Sequence, residues 1–168
     1  LVSGETIDAV TLASTGSVAT AHVGSYNITA ANATGSSFTA SNYNISYANG
    51  TLTVTPAPLT VTVNNQSRAY GAVNPATGTV TLSNGTLYNG DTLSVANLSS
   101  TANASSAVGH YTLTGSGQTF SAGNAGDYNI SYANGSLAVS PANLVITANN
   151  VSKTYGQVLV FTGTEFSA

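Results

Sequence analysis

The sequence has very few charged residues and no cysteine. Of its 168 residues, two are basic and five are acidic. Two bases cannot neutralise a run of phosphates or hold the chain on an anionic membrane, so the composition excludes nucleic-acid binding and attachment to such a surface. The absence of cysteine excludes disulfides, thiolate metal sites and a cysteine nucleophile. A hydrophobic content of 42% with a net charge of −3 does not fit ordinary disorder, which combines low hydrophobicity with high net charge.

Long apolar runs and targeting signals are also lacking. The longest apolar runs are a few residues, whereas a membrane-spanning helix needs roughly 20, so we expect no membrane insertion. Residues 1–5 have neither the basic region nor the apolar core of a signal peptide. The sequence does not begin with Met, and we expect it to be a piece of a longer protein. Ser, Thr and Asn total 65 residues, so hydroxyls and amides, rather than charges, hydrate the surface.

An internal repeat organises the chain. Residues 40–71 and 125–156 match at 20 of 32 positions, at a constant offset of 85 residues. A period of this length suits one small domain per repeat rather than one coil of a solenoid. Eight of the nine tyrosines form pairs at this offset: Tyr26 with Tyr111, Tyr43 with Tyr128, Tyr47 with Tyr132, and Tyr70 with Tyr155.

The phase of the repeat predicts three parts. Residues 57–142 hold one complete module, residues 1–56 are the back part of a module, and residues 143–168 are the front part of a following one. Placed end to end, the last part followed by the first would nearly rebuild a second module. We therefore predict about two periods of a tandem array.

Alternation of apolar and polar residues predicts strands throughout the chain. Residues 43–47, 51–55 and 59–63 alternate in this way, and no stretch has the apolar periodicity of a helix. Several short strands with turns every 8–12 residues predict an all-β chain of small immunoglobulin-like β-sandwich modules, each of about 85 residues.

Two sequence details give sharper predictions about these modules. Asn49-Gly50 and Asn134-Gly135 lie between alternating runs. Asn-Gly tolerates positive φ at both central positions, so each pair is predicted to form a tight type I′ hairpin. The paired tyrosines recur from module to module, and we expect them in the core or at sandwich corners rather than on a carbohydrate-binding surface.

The joints between modules are short. They are Pro56-Ala57-Pro58 and Pro141-Ala142-Asn143, without a run of Gly or Ser. The strand before each joint leads almost directly into the next strand. Such a linker is semi-rigid, so the array is expected to be rod-like.

Several short motifs carry a family resemblance. They are Tyr70-Gly71, Gly4-Glu5-Thr6, Gly90-Asp91-Thr92, and the stretch YNISYANG at 43–50 and 128–135. Their order and spacing resemble the MBG-type repeat of large secreted bacterial surface proteins, which include filamentous-haemagglutinin-like adhesins. The resemblance covers essentially the whole chain. It implies a repeat protein of the bacterial cell surface or extracellular space, without enzymatic activity, whose modules commonly act as a stalk.

Residues able to support catalysis or metal binding are sparse. A hydrolase triad needs a histidine, and the chain has only His22 and His110, which occupy different positions of the repeat. A repeated active site would repeat its base. The five acids are scattered, whereas a calcium site needs six to eight oxygens with several carboxylates close together. We predict no catalytic residue, no cofactor and no metal site.

One structural ion pair is a candidate. Arg68 and Lys153 occupy equivalent positions, as do the turn acids Glu5 and Asp91. Arg68 paired with Asp91 would give one ion pair in the complete module, worth about 0–1 kcal/mol if exposed. The alternative is that Gly90-Asp91 is simply turn chemistry.

Glycosylation sequons are unusually frequent. Asn-x-Ser/Thr occurs at 11 of the 18 asparagines, where chance predicts about five. Some surface adhesins of the broad type that the chain resembles are N-glycosylated, and the alternative is that Asn, Ser and Thr are merely the polar residues in use. The candidate glycosylation sites are Asn44, Asn49, Asn65, Asn129, Asn134 and Asn150.

Together these features predict a mechanical function. We expect a non-enzymatic structural repeat of a bacterial surface adhesin or fibre, which acts as a stiff stalk next to neighbouring modules. Two alternatives remain open. The chain could be a filament subunit in which residues 143–168 of one copy complete residues 1–56 of the next, head to tail. The modules could instead bind a glycan or a host cell surface.

Overall fold

The computed structural model describes residues 1–2 and 4–168. The described residues form fourteen β-strands and three 3-10 turns of three residues each, so the prediction of an all-β fold is confirmed. Over the same residues, no helix is long and apolar enough to span a membrane.

The N-terminal part is a three-stranded antiparallel sheet. Its strands are β1 Ala9–Ala13, β2 Gly24–Thr34 and β3 Gly50–Val54, and β2 is the central strand. In β2, every second residue from Gly24 to Ala30 is half-buried, as expected for a strand with one covered face. Tyr26 lies opposite Leu52 across the β2–β3 pair, so both side chains belong to this face.

Residues 57–140 form a larger unit. Its nine strands are β4 Ala57–Val63, β5 Gln66–Ala69, β6 Thr77–Gly85, β7 Thr92–Leu93, β8 Val95–Ser99, β9 Gly109–Ser116, β10 Phe120–Ala122, β11 Tyr128–Ala133 and β12 Gly135–Ser140. Seven of them are hydrogen-bonded in the order β11-β4-β6-β8-β9-β12-β5, and β7 pairs with β10.

The seven-stranded sheet folds over on itself around one core. Val63 on β4 packs with Leu113 on β9 and Leu137 on β12, and all three are at most 1% exposed. β9 and β12 are neighbours in the hydrogen-bonded order, but β4 is three places from β9, so the three side chains can meet only if β11, β4 and β6 form one layer and the remaining strands face them. This is the predicted β-sandwich.

The predicted Asn-Gly hairpins are wrong. At residues 134–135 neither residue has a positive φ, and β11 and β12 do not pair with each other. Instead β11 lies parallel to β4, and β12 lies parallel to β5 and antiparallel to β9. The chain crosses from one layer to the other at Asn134, between β11 and β12, and it makes a second crossing at Asn65, between β4 and β5. The two crossings lie side by side, and the Ser136 N–H donates to Asn65 Oδ1 at 2.8 Å. Gly135 is needed there because a Cβ would collide with the Val63 carbonyl.

The C-terminal part, residues 143–168, is largely exposed to solvent. Residues 143–168 contain only a short pair among the described residues, formed by β13 Thr147–Ala148 and β14 Phe166–Ser167. Nearly all of these residues are exposed, and they include Leu144, Ile146 and Phe161. An apolar segment of this kind is a surface that a partner commonly covers.

Candidate functional site

A tyrosine holds the acid-bearing turn of the complete module. Asn89 and Gly90 both have positive φ, and the turn closes with the Asp91 N–H donating to the Tyr88 carbonyl at 2.8 Å. The Tyr128 hydroxyl donates to Asp91 Oδ2 at 2.7 Å and accepts from the Tyr88 N–H at 2.9 Å. Burial, together with the Asp91 carboxylate, raises the pKa of Tyr128 against the opposing effect of the Tyr88 N–H. Asp91 therefore orders this turn.

The N-terminal part repeats this arrangement. The Tyr43 hydroxyl donates to Glu5 Oε2 and accepts from the Val2 N–H at 2.9 Å. The Glu5 carboxylate raises the pKa of Tyr43. Each tyrosine also stacks on a phenylalanine, with ring centroids 5.5 Å apart for Phe38–Tyr43 and 5.4 Å apart for Phe120–Tyr128. The same hydrogen bonds at both positions point to a structural role.

The other tyrosine pairs give a mixed result. The hydroxyls of Tyr26 and Tyr111 donate to the carbonyl four residues before them, at 2.7 and 2.8 Å. Those of Tyr47 and Tyr132 accept from backbone N–H groups at 2.9 and 2.7 Å. Tyr26, Tyr111 and Tyr132 are half-buried, whereas Tyr47 is 40% exposed and does not occupy the predicted core position. Tyr70 and Tyr155 are instead largely exposed, so the prediction of a core position is wrong for them.

The predicted ion pair between Arg68 and Asp91 is not formed. Arg68 is buried, and it donates from Nε to Asn74 Oδ1 at 2.7 Å and from its terminal nitrogens to the carbonyls of Ala69 and Asn103. Asp91 bonds to Tyr128 instead. The guanidinium is satisfied by an amide and two carbonyls, which is a common way to hold a buried donor.

The one ion pair within the described residues joins the N-terminal part to the complete module. His22 Nδ1 lies 2.6 Å from Asp127 Oδ2, and the Val23 N–H donates to Asp127 Oδ1 at 2.9 Å. A second junction contact runs from Asn89 Nδ2 to the Ala19 carbonyl at 3.1 Å. The hydrogen bond to Asp127 raises the pKa of His22, and the Val23 N–H together with His22 lowers the pKa of Asp127.

These histidines offer no catalytic arrangement. His22 is paired with Asp127, but within the described residues no serine hydroxyl is hydrogen-bonded to it, so a nucleophile is missing. His110 Nδ1 lies 3.4 Å from Ser136 Oγ, on a different strand pair. Over the part of the chain that the structure describes, no group of three His, Cys, Asp or Glu could hold a metal ion.

The six asparagines proposed as glycosylation sites are all exposed. Asn129 lies on β11, which is an edge strand, and Asn65 and Asn134 lie at neighbouring crossings between the layers. Asn44, Asn49 and Asn150 lie outside the strands. Exposure leaves each amide open to modification.

The junction contact is the feature that sequence reasoning missed. His22 and Asp127 are 105 residues apart, and their repeat equivalents are Ala107 and Asn42. Because the pair does not recur, the repeat carried no signal for it. The tyrosine–acid contacts do recur, and the paired tyrosines and turn acids could have revealed them.

Comparison with known proteins identifies the family. The MBG domain (YGX type) matches residues 1–53 and 59–138, which is most of the chain. No curated protein and no solved structure matches. MBG domains are structural repeat domains of surface and secreted proteins, and they are not known as enzymes. The chain belongs to the MBG domain family of YGX type.

Proposed function

We propose that the chain is a stiff spacer in a bacterial surface protein, which holds a more distal part away from the cell. The observation that carries this proposal is the junction between the N-terminal sheet and the complete module. Asp127 bonds both the side chain of His22 and the backbone of Val23, and Asn89 bonds the Ala19 carbonyl. These three contacts lie on both sides of one junction and oppose rotation of the two units relative to each other.

The covalent joint supports the same function. β3 ends at Val54 and β4 begins at Ala57, so two residues, one of them proline, separate strands of successive units. Pro56 has a fixed φ and allows little bending. The near absence of charge also suits an array, because neighbouring modules meet little electrostatic repulsion.

Small-angle X-ray scattering tests the spacer function, with the data extrapolated to low protein concentration so that they report on the monomer. A strand of eight residues spans about 27 Å and the two-residue joint about 7 Å, so two modules end to end should give a maximum dimension of at least about 60 Å. The control carries Gly-Ser-Gly-Ser inserted after Thr55 and should show a broader distribution of interatomic distances. A compact wild-type particle, or identical profiles for the two proteins, would contradict a stiff joint.

A glycan array separates the spacer from an adhesive module. The spacer function predicts no saturable binding to any immobilised glycan. Saturable binding that depends on exposed aromatic residues such as Tyr70 or Tyr88 would favour the adhesive alternative instead.

A further inference from the structure

The N-terminal sheet has an apolar face that is only partly covered. Ile28 and Leu52 are half-buried, whereas their repeat equivalents in the complete module, Leu113 and Leu137, are 0% exposed. The difference is the layer that contains β4, because the N-terminal part has no equivalent of that strand. In the complete module this layer contributes Leu59, Val61 and Val63, each at most 2% exposed.

An identical sequence adopts different structures in the two parts. Residues 43–50 and 128–135 both read YNISYANG. In the complete module, residues 128–133 form β11 along its parallel partner β4. Residues 43–49, all of them described, form no strand. The first copy therefore lacks the neighbouring strand that β4 provides for the second copy.

The missing partner is present at the other end of the chain. Leu144 and Ile146 are the repeat equivalents of Leu59 and Val61, and they are 72% and 62% exposed where Leu59 and Val61 are 2% and 0% exposed. Covering these side chains would remove apolar surface from water on both segments, which is the main driving force of association.

We infer that residues 142–154 of one copy of this chain dock as parallel strands on residues 43–55 of a second copy. The register follows from the pairs Ile130–Leu59, Tyr132–Val61 and Leu137–Gln66 of the complete module. Shifted by one repeat, it places Leu144 opposite Ile45, Ile146 opposite Tyr47, and Val151 opposite Leu52. Backbone hydrogen bonds then complete the open edge, as in strand addition to a sheet.

The charge distribution permits this docking. Residues 142–154 carry a single charge, Lys153, and residues 43–55 carry none, so no like charges meet. The contact joins different surfaces of the two copies and is therefore heterologous, so association continues beyond the dimer or closes into a ring. If the chain carried a preceding module, the equivalents of β4 and β5 would be supplied from within that chain, and they would pair with residues 43–55 in the same register. The docking and the spacer function are independent of each other.

Sedimentation of the 168-residue chain tests the docking. Its mass is expected to rise above the 16.7 kDa of the monomer with concentration over about 1–100 µM. Ile146→Asp should shift this transition to an at least about tenfold higher concentration, because the added carboxylate would be buried. A wild-type chain that stays monomeric throughout would overturn the inference.

Val158→Asp is the matched control. It adds the same charge to the same exposed tail, but Val158 is 87% exposed and its equivalent in the complete module, Val73, is 82% exposed. We therefore expect no shift for it. An equal shift for both aspartate variants would show a nonspecific charge effect and would contradict the docking.

A variant on the accepting side tests the same contact. At Gly50 an added Cβ makes only an ordinary contact of 3.6 Å with Ile28, but at its equivalent Gly135 it would collide with the Val63 carbonyl. Gly50→Ala should leave the circular dichroism spectrum of the monomer unchanged and weaken association at least about tenfold. Association at wild-type strength would overturn the predicted geometry.

Disulfide trapping tests the register, because the chain has no cysteine of its own. A chain with Ser46→Cys is mixed with an isotopically labelled chain with Val145→Cys, and the mixed disulfide dimer is measured by mass spectrometry. It should form in excess over a mixture of Ser46→Cys with Ser152→Cys, in which residue 152 is expected beside Thr53. Equal yields in the two mixtures would contradict the register.

Discussion

At the residue scale, tyrosine hydroxyls make the contacts that a chain with few charges cannot make with ion pairs. Asp91 does not meet the only arginine. It meets Tyr128, which also binds the backbone of the same turn, and Tyr43 does the same for Glu5. The recurrence of both the acids and the tyrosines was visible in the sequence, but the contact between them was not predicted, because Arg68 was considered as the partner of Asp91 on the basis of its opposite charge.

Tyr128→Phe is expected to destabilise the complete module by about 1–3 kcal/mol. The substitution removes the hydroxyl that satisfies both Asp91 and the Tyr88 N–H, and these groups are left without that partner in a partly buried site. Urea unfolding followed by circular dichroism measures the change. Tyr88→Phe is the control, since within the described residues its hydroxyl makes no hydrogen bond, and a change within about 0.5 kcal/mol is expected. Equal losses for both variants would contradict this role of Tyr128.

The junction ion pair predicts a defined pH window. The raised pKa of His22 means that its contribution is complete below the ordinary value of 6.5 and is lost as the pH rises through the raised pKa. The lowered pKa of Asp127 means that its contribution is present above 3.8 and is lost as the pH falls through the lowered pKa. The contact is therefore strongest between these limits, in mildly acidic solution.

Asp127→Asn should lower the pKa of His22 towards its ordinary value, because the carboxylate is the main cause of the shift. NMR titration of the His22 ring protons in both proteins measures this, and the His110 resonances serve as the internal reference. A His22 titration curve that is the same in the two proteins would show that the pair does not form in solution.

At the scale of the strand, neighbours decide what a segment becomes. Alternation predicted a strand at residues 43–47, and this prediction is wrong, because residues 43–49 form no strand. The identical sequence at 128–135 forms β11 over residues 128–133, where β4 lies beside it. Periodicity reports which face is apolar, but it does not report whether a partner strand is present. The hairpin predicted at Asn134-Gly135 is wrong for a related reason. Asn-Gly suits a crossing between layers as well as a hairpin, and only the parallel pairing of β11 with β4 and of β12 with β5 shows that the chain crosses here.

Gly135→Ala should destabilise the complete module by about 1–3 kcal/mol, because its Cβ would overlap the Val63 carbonyl where the two crossings lie side by side. Gly50→Ala at the equivalent position is the control and should change the stability of the monomeric chain by less than about 0.5 kcal/mol. Thermal unfolding of both variants at low protein concentration provides the comparison. A larger loss for Gly50→Ala than for Gly135→Ala would reverse the expected order.

At the scale of the whole molecule, alternation and turn spacing correctly predicted a β-sandwich, but the repeat could not reveal contacts that occur once. The His22–Asp127 contact belongs to a single junction. The exposed asparagines do recur, and we propose that they carry glycans in the native protein. Mass spectrometry of proteolytic peptides from the native protein is then expected to show added sugar mass on the peptides that contain these asparagines, and peptides of unmodified mass throughout would contradict this proposal.

The stiffness of the junction is the central claim, and residual dipolar couplings test it most directly. They are measured on the Ile146→Asp chain at low concentration, so that association between copies does not contribute. If His22, Val23 and Asn89 hold the two units in a fixed orientation, one alignment tensor will fit the couplings of β1–β3 and of β4–β12 together. Two tensors of clearly different magnitude would show that the units move independently and would contradict the spacer function.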